Sequence, residues 1–245
     1  MGANSKSEDI TLSSLDRARV YRALAQLFRV PERDWMEEAR ERDLPELCQA
    51  LERQGADKAP DLIKDAGMLC DLFADADWER LSRGHYAAFD ESSGIRSAPT
   101  EMDQLGGPPQ LELTRTFEMA DVAGFYKAFG VQVGEGDERV DHIATELEFM
   151  NLLAVKEYVA LCDDGEGENA EICHDASRVF LRDHLLRWAP RLGGCLAEAD
   201  LDPIYRCAGR LLSAYIAFDA EQIDAARAPV HVIDPTKQEA AAESL

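Results

Sequence analysis

The sequence predicts an all-α protein, and three observations carry that prediction. Apolar residues recur every three or four positions along most of the chain, and no segment alternates with period two. The breaks between these runs hold proline, glycine or acidic clusters, the residues that end helices and open turns.

The elements follow in order. Tyr21, Leu24, Ala25 and Phe28 recur at helical spacing after Ser13 and Ser14, and Pro31 stops the run. Asp43, Leu44 and Pro45 read as a helix start leading to Leu47 and Leu51, because proline fits a first helical turn. Leu62, Ala66, Leu69, Cys70 and Phe73 form a third stripe, and Trp78, Leu81, His85 and Phe89 a fourth. Residues 90–110 are rich in Ser, Gly and Pro and read as a long loop, a length that compact domains reserve for a purpose. Leu111 to Phe129 is apolar on more than one side (Phe117, Val122, Phe125, Phe129), which predicts a helix at the centre of the fold.

A glycine-rich acidic connector, Gly130 to Asp137, comes next. Asp141 opens a helix carrying Ile143, Leu147, Met150, Ala154, Tyr158 and Leu161. Beyond the acidic turn at 163–169 lies a run with Ile172, Ala176, Val179, Phe180, His184 and Trp188. Asp202 followed by Pro203 reads as an N-cap and a first-turn proline, with Ala208, Leu211, Tyr215 and Phe218 continuing that helix. The expected organisation is therefore a mobile segment 1–11, a helical lobe 12–130 containing the loop 90–110, a hinge 131–140, a second helical lobe 141–228 and a mobile tail 229–245.

Composition narrows the function. With 245 residues, 46% of them hydrophobic, the chain can bury a sizeable core. A formal net charge of −22 repels phosphate backbones and anionic lipid, so nucleic acid and membrane surfaces are poor partners and basic peptides good ones. No apolar segment resembles a secretory signal or a membrane helix, and a cytoplasmic location is expected. The six cysteines are far apart in sequence with no CxxC, which predicts buried thiols rather than a zinc or redox site.

Catalytic motifs are missing: there is no GxxxxGK[ST], HExxH or GxSxG. Glu171 and His174 make a single ExxH, whereas a di-iron bundle needs two with further inward glutamates. A helical metalloenzyme using Glu171, His174 and glutamates of the helix after Asp141 stands as an alternative, as does a generic acidic adaptor. Asp141-His142 supports two readings, an ordinary N-cap with a first-turn histidine or an accessible polar pair at a hinge. His184 and Trp188, four apart, fit either a core edge or a binding face.

Four segments together resemble the TorD/DmsD/NarJ family of chaperones for molybdenum-containing reductases. They are Phe117 to Gly130 (FEMADVAGFYKAFG), Glu138 to Ile143 (ERVDHI), Glu146 to Met150 (ELEFM) and His184 to Trp188 (HLLRW), in order across about residues 15–220. The texture is similar to the branch serving dimethylsulfide, selenate, chlorate or ethylbenzene-type enzymes. The resemblance implies two helical lobes joined by a hinge, either monomeric or domain-swapped, and no catalysis. It further implies binding of a partner's apo catalytic subunit, often through a twin-arginine signal peptide, until molybdopterin guanine dinucleotide is inserted into that partner. Weak guanine-nucleotide binding is also linked to the family.

The family's hinge motif, roughly E-x-P-D-H, falls on Glu138, Val140, Asp141 and His142, with Val140 where proline is usual. Its Pro-x-Glu segment falls on Pro99 and Glu101, with Thr100 and Met102 in place of the usual aromatics. A receptor for paired guanidinium groups and an apolar stretch needs carboxylates beside an apolar groove. Glu101, Glu138 and Asp141 are the candidate carboxylates, Trp78, Phe89, Tyr126 and Trp188 the candidate walls, and His142 and His184 complete the expected peptide site. No metal ligands are expected.

Overall fold

The computed structural model describes residues 2–56, 59–89, 98–105, 112–132, 139–163 and 167–227, and among these no strand occurs. The helices are α1 (Gly2–Phe28), α2 (Arg33–Glu38), α3 (Leu44–Arg53), α4 (Pro60–Ala74), α5 (Trp78–Phe89), α6 (Glu101–Leu105), α7 (Glu112–Ala128), α8 (Ile143–Asp163), α9 (Glu168–Phe180), α10 (Leu186–Glu198) and α11 (Pro203–Gln222). Wider π-helical turns, Ala39–Asp43 and Leu181–Leu185, join α2 to α3 and α9 to α10 without a break. The first helix includes residues 2–11, ahead of the serines expected to start it. The tail from 228 onward lies outside the described residues.

Helix α8, rather than α7, holds the central place. It packs along α1 on one side and α9 on the other, and buries Leu147, Met150, Leu153 and Ala154. The all-round apolar pattern of α7 suggested the reverse. In the structure Val122, Phe125, Tyr126 and Phe129 face inward, while Phe117 is 72% exposed. One hydrophobic cluster runs from α1 through α11, so helices on both sides of the expected hinge share it. Any hinge motion would therefore have to part α1 from α8.

Helix ends are fixed by local chemistry. Pro203 starts α11, and the Asp202 carboxylate accepts from the Ile204 N–H at 3.0 Å. Arg80 grips the same carboxylate at 2.7 and 3.1 Å and ties α5 to this cap. At the end of α7, Gly130 adopts φ 77°, which lets Val131 N–H reach Tyr126 O at 2.8 Å and closes the last turn. Gly193 and Gly209 let α10 and α11 touch backbone to backbone. A Cβ on Gly209 would lie 2.6 Å from the Gly193 carbonyl oxygen.

The end of α11 carries a less favourable residue. Asp224 takes φ 51°, with Ala225 N–H bonding Ala220 O at 2.9 Å in a left-handed cap. Arg178 stabilises the turn by donating to the Asp224 carbonyl at 3.1 Å. Because glycine reaches this conformation without steric cost and the carbonyl is retained, Asp224→Gly should raise stability by about 0.5–1 kcal/mol. Chemical denaturation measures it, and a lowered midpoint would contradict the steric argument.

The cysteines differ from expectation. Cys173 and Cys207 are buried, but Cys48, Cys70 and Cys195 are only partly so and Cys162 is exposed. Their apolar-looking positions fall on helix flanks rather than on the innermost stripe.

Candidate functional site

The loop expected over 90–110 contains the short helix α6, and its entry is clipped to the segment preceding α8. Ile143 N–H donates to Pro99 O at 2.7 Å and Glu101 N–H to Asp141 O at 2.9 Å, forming a two-stranded contact between Thr100 and His142. This clip sets the site. It joins two segments some forty residues apart in sequence.

Asp141 does not cap its own helix, as the N-cap reading expected. Its buried carboxylate accepts from the Met102 N–H at 3.2 Å, in the first turn of α6, and from Arg139 at 3.0 and 2.9 Å. The first turn of α8 is served instead by His142, whose Nδ1 accepts from Ala144 N–H at 3.2 Å. The imidazole therefore carries its proton on Nε2. The carbonyl of Val140 accepts from the Tyr126 hydroxyl at 2.8 Å.

Glu101 turns inward from α6, fully buried, to His184 Nδ1 at 3.2 Å. His184 Nε2 faces Asp121 of α7 at 3.4 Å, and the Arg187 guanidinium lies 3.7 Å from Glu101. The π-helical turn before α10 places His184 here. Trp188, one turn further on, is fully buried and donates from Nε1 to Glu146 at 3.1 Å. Beneath them Phe125, Tyr126, Phe149, Phe180 and His184 form an aromatic floor, with Phe149–Phe180 and Phe180–His184 centroids both at 4.8 Å.

Three carboxyl groups, Glu101, Asp141 and Glu146, are thus excluded from water in one node. Burial, reinforced by the negative charge of Glu101 and Asp141, pushes the Glu146 carboxyl well above the ordinary range despite the Trp188 hydrogen bond. Folding then favours its protonated form. The resulting stability is full below the ordinary glutamate range and declines as pH rises toward the raised value. Glu146→Gln keeps an acceptor for Trp188 without this titration. It should match the parent in acid and exceed it by about 1–3 kcal/mol in neutral to alkaline solution. Denaturation curves across that pH span test it, and parallel curves would refute the protonation argument.

The node collects Pro99, Glu101, Tyr126, Asp141, His142, His184 and Trp188 from the expected peptide site. Glu138 lies outside the described residues. Trp78 and Phe89 do not join the group, because α5 packs against α11 and the end of α1 instead. Trp78 donates to Pro31 O at 2.9 Å beneath the Arg33 guanidinium, and Phe89 sits among Phe28, His85 and Tyr205. Trp188 and Tyr126 are core residues rather than open groove walls.

Sequence reasoning missed Arg139, Arg187, Asp103 and Asp121, which form the node's outer edge. Arg139 also contacts Asp103 at 3.2 Å, and Arg187 contacts Glu118 at 3.2 Å. Arg139 could have been found from its place beside Asp141 in the hinge motif. Asp121 shows only once α7 and α10 are side by side.

His174 of the ExxH pair meets a carboxylate on a neighbouring helix. His174 Nδ1 lies 3.0 Å from Glu157 of α8, but Glu157 is already held by Arg17 at 3.1 Å. Among the described residues no group of three or more His, Cys, Asp or Glu side chains could hold a metal ion. No helix there is long and apolar enough to cross a membrane.

Fold and node together define an all-α protein with a buried carboxylate and imidazole node. Residues 34–193 match the family described as nitrate reductase delta subunit. The chain belongs to that family, the TorD/NarJ group of assembly chaperones, whose members are not catalysts. It is 32% identical over 123 residues to the selenate reductase assembly chaperone protein of Thauera selenatis, covering 50% of this chain and 60% of that protein. It is 32% identical over 113 residues to the chlorate reductase assembly chaperone protein of Ideonella dechloratans, covering 46% and 55%. A longer match, 27% over 214 residues, joins it to the chaperone protein TorD of Vibrio cholerae, covering 87% and 85%. The match thus spans somewhat over half the length of the first two relatives.

Proposed function

We propose that the chain is a dedicated chaperone for the apo catalytic subunit of a molybdenum-dependent oxidoreductase, acting in the cytoplasm before cofactor insertion and export. The observation that carries this reading is the convergence of Pro99, Glu101, Tyr126, Asp141, His142, His184 and Trp188 on one node. Pro99, Glu101, Asp141 and His142 fall on the family's motifs, and Tyr126, His184 and Trp188 were expected beside them on chemical grounds. The buried carboxylates act by position: they hold Arg139 and Arg187 in place and so shape the outer edge. Client contacts fall to that edge, where Phe117 and Asp121, one turn apart on α7, are both exposed. An arginine-bearing segment with an apolar residue, such as a twin-arginine signal peptide, suits an aromatic ring flanked by carboxylates. The net charge of −22 would speed its arrival at low salt. Molybdopterin guanine dinucleotide belongs to the client in this scheme, and guanine-nucleotide binding and a swapped dimer are further family expectations to be measured alongside.

The test is purification of the tagged chain from its native host under anaerobic growth, with bound proteins identified by mass spectrometry. A cofactor-free molybdoenzyme subunit retaining its N-terminus is the expected companion. Its absence while that enzyme is being made would overturn the reading. With the subunit in hand, Phe117→Ser and Asp121→Asn should each weaken binding about tenfold, near 1.4 kcal/mol, without shifting the unfolding midpoint. Unchanged affinity in both would move the contact surface elsewhere.

A further inference from the structure

Cys48 on α3 and Cys70 on α4 face one another across a helical hairpin, with their sulfur atoms 3.3 Å apart. Twenty-two positions separate them in sequence, so no spacing motif announces the pair. Both are partly exposed. Cys70 Sγ also lies 3.6 Å from the Leu44 carbonyl, one turn before Cys48, which seats it over the start of α3. A disulfide needs sulfur atoms about 2.05 Å apart, so closure requires the two to approach by roughly 1.3 Å.

The two thiols are not equivalent. The Cys70 S–H hydrogen bond lowers the Cys48 thiol below its ordinary value, against the opposing effects of burial, Glu52 and Asp71. That hydrogen bond and burial raise Cys70. The thiolate is the attacking species, so Cys48 is the natural first nucleophile and Cys70 the resolving group.

We propose that Cys48 and Cys70 form a reversible dithiol–disulfide site oxidised by small disulfides of the glutathione type. The Cys48 thiolate attacks one sulfur of oxidised glutathione, forming a mixed disulfide and expelling one glutathione thiolate, which takes up the proton that Cys48 lost. Cys70, deprotonated in turn, attacks the Cys48 sulfur. The second glutathione leaves and takes that proton, and the two protein sulfurs are joined. Two protein thiols are oxidised and one glutathione disulfide is reduced to two thiols. The product staples α3 to α4, independently of the client-binding reading, and constrains the unfolded chain.

The test uses the full, freshly reduced chain incubated with oxidised glutathione, blocked with an alkylating reagent and mapped by mass spectrometry. The expected product is a Cys48–Cys70 cross-linked peptide, two hydrogens lighter than its reduced form and free of glutathione, which dithiothreitol reverses. The oxidised protein should melt about 5–10 °C higher. In Cys70→Ser, glutathione should remain on Cys48. In Cys48→Ser, no intramolecular cross-link should form, and any glutathione taken up by Cys70 should remain there as a mixed disulfide. Glutathione persisting on Cys48 of the unsubstituted chain, or oxidation confined to the exposed Cys162, would overturn the proposal. If either serine variant fails to fold, the unsubstituted chain alone still separates these outcomes.

Discussion

Replacing Arg17 by methionine will lower the unfolding free energy by about 3–5 kcal/mol, because it removes a cation from between two buried carboxylates. Arg17 leaves α1 fully buried and donates to Asp219 of α11 at 2.8 Å and to Glu157 of α8 at 3.1 Å. Asp219 also accepts from the Tyr21 hydroxyl at 2.6 Å, and Glu157 faces His174 of α9. The cluster therefore joins four helices. Although burial pushes Glu157 upward, the hydrogen bond to His174 and the charge of Arg17 outweigh it and hold its carboxyl below the ordinary range. Its contribution is present above the ordinary glutamate range and is lost as pH falls through the lowered value. The gap between parent and variant should consequently narrow in acid, where the orphaned carboxylates take up protons. Urea denaturation at neutral and acidic pH measures both effects. A pH-independent gap would mean that lost packing, not charge, sets the cost.

The second large effect is expected at Trp188. Trp188→Ala should cost about 3–5 kcal/mol, since the ring is fully buried and its removal leaves a cavity under the node. Trp188→Phe retains most of the volume but removes the N–H that Glu146 accepts at 3.1 Å, and should cost about 1–3 kcal/mol. That hydrogen bond restrains the rise of the Glu146 carboxyl, so in Trp188→Phe the carboxyl climbs further and the deficit grows in alkaline solution. Combining Trp188→Phe with Glu146→Gln should remove the pH dependence. If both single variants also leave client affinity unchanged, the node serves stability and the exposed edge alone meets the client.

Local signals in the sequence were reliable where their partners were also local. Asp202 and Pro203 read correctly as cap and first-turn proline because the acceptor and its N–H lie two residues apart. Pro45 likewise sits in the first turn of α3, and the apolar stripe of α4 faces the core. Asp141 misled because its backbone partner, Met102, lies 39 residues away and no local pattern shows which helix a carboxylate will serve. Helix α7 misled for a related reason: an apolar residue such as Phe117 reads the same whether a neighbour covers it or solvent meets it.

By itself the sequence determined the all-α class, the placement of most helices and the membership in an assembly-chaperone family. Helical periodicity, caps and motif order are properties of neighbouring residues, and they survive in a one-dimensional string. Only the tertiary structure decided that α8 is central, that Arg139 and Met102 share Asp141, that Trp78 and Phe89 stand apart from the node, and that Cys48 meets Cys70. Each of these depends on which helix faces sum to the least exposed apolar surface. That is a property of the whole chain, and no single segment contains it.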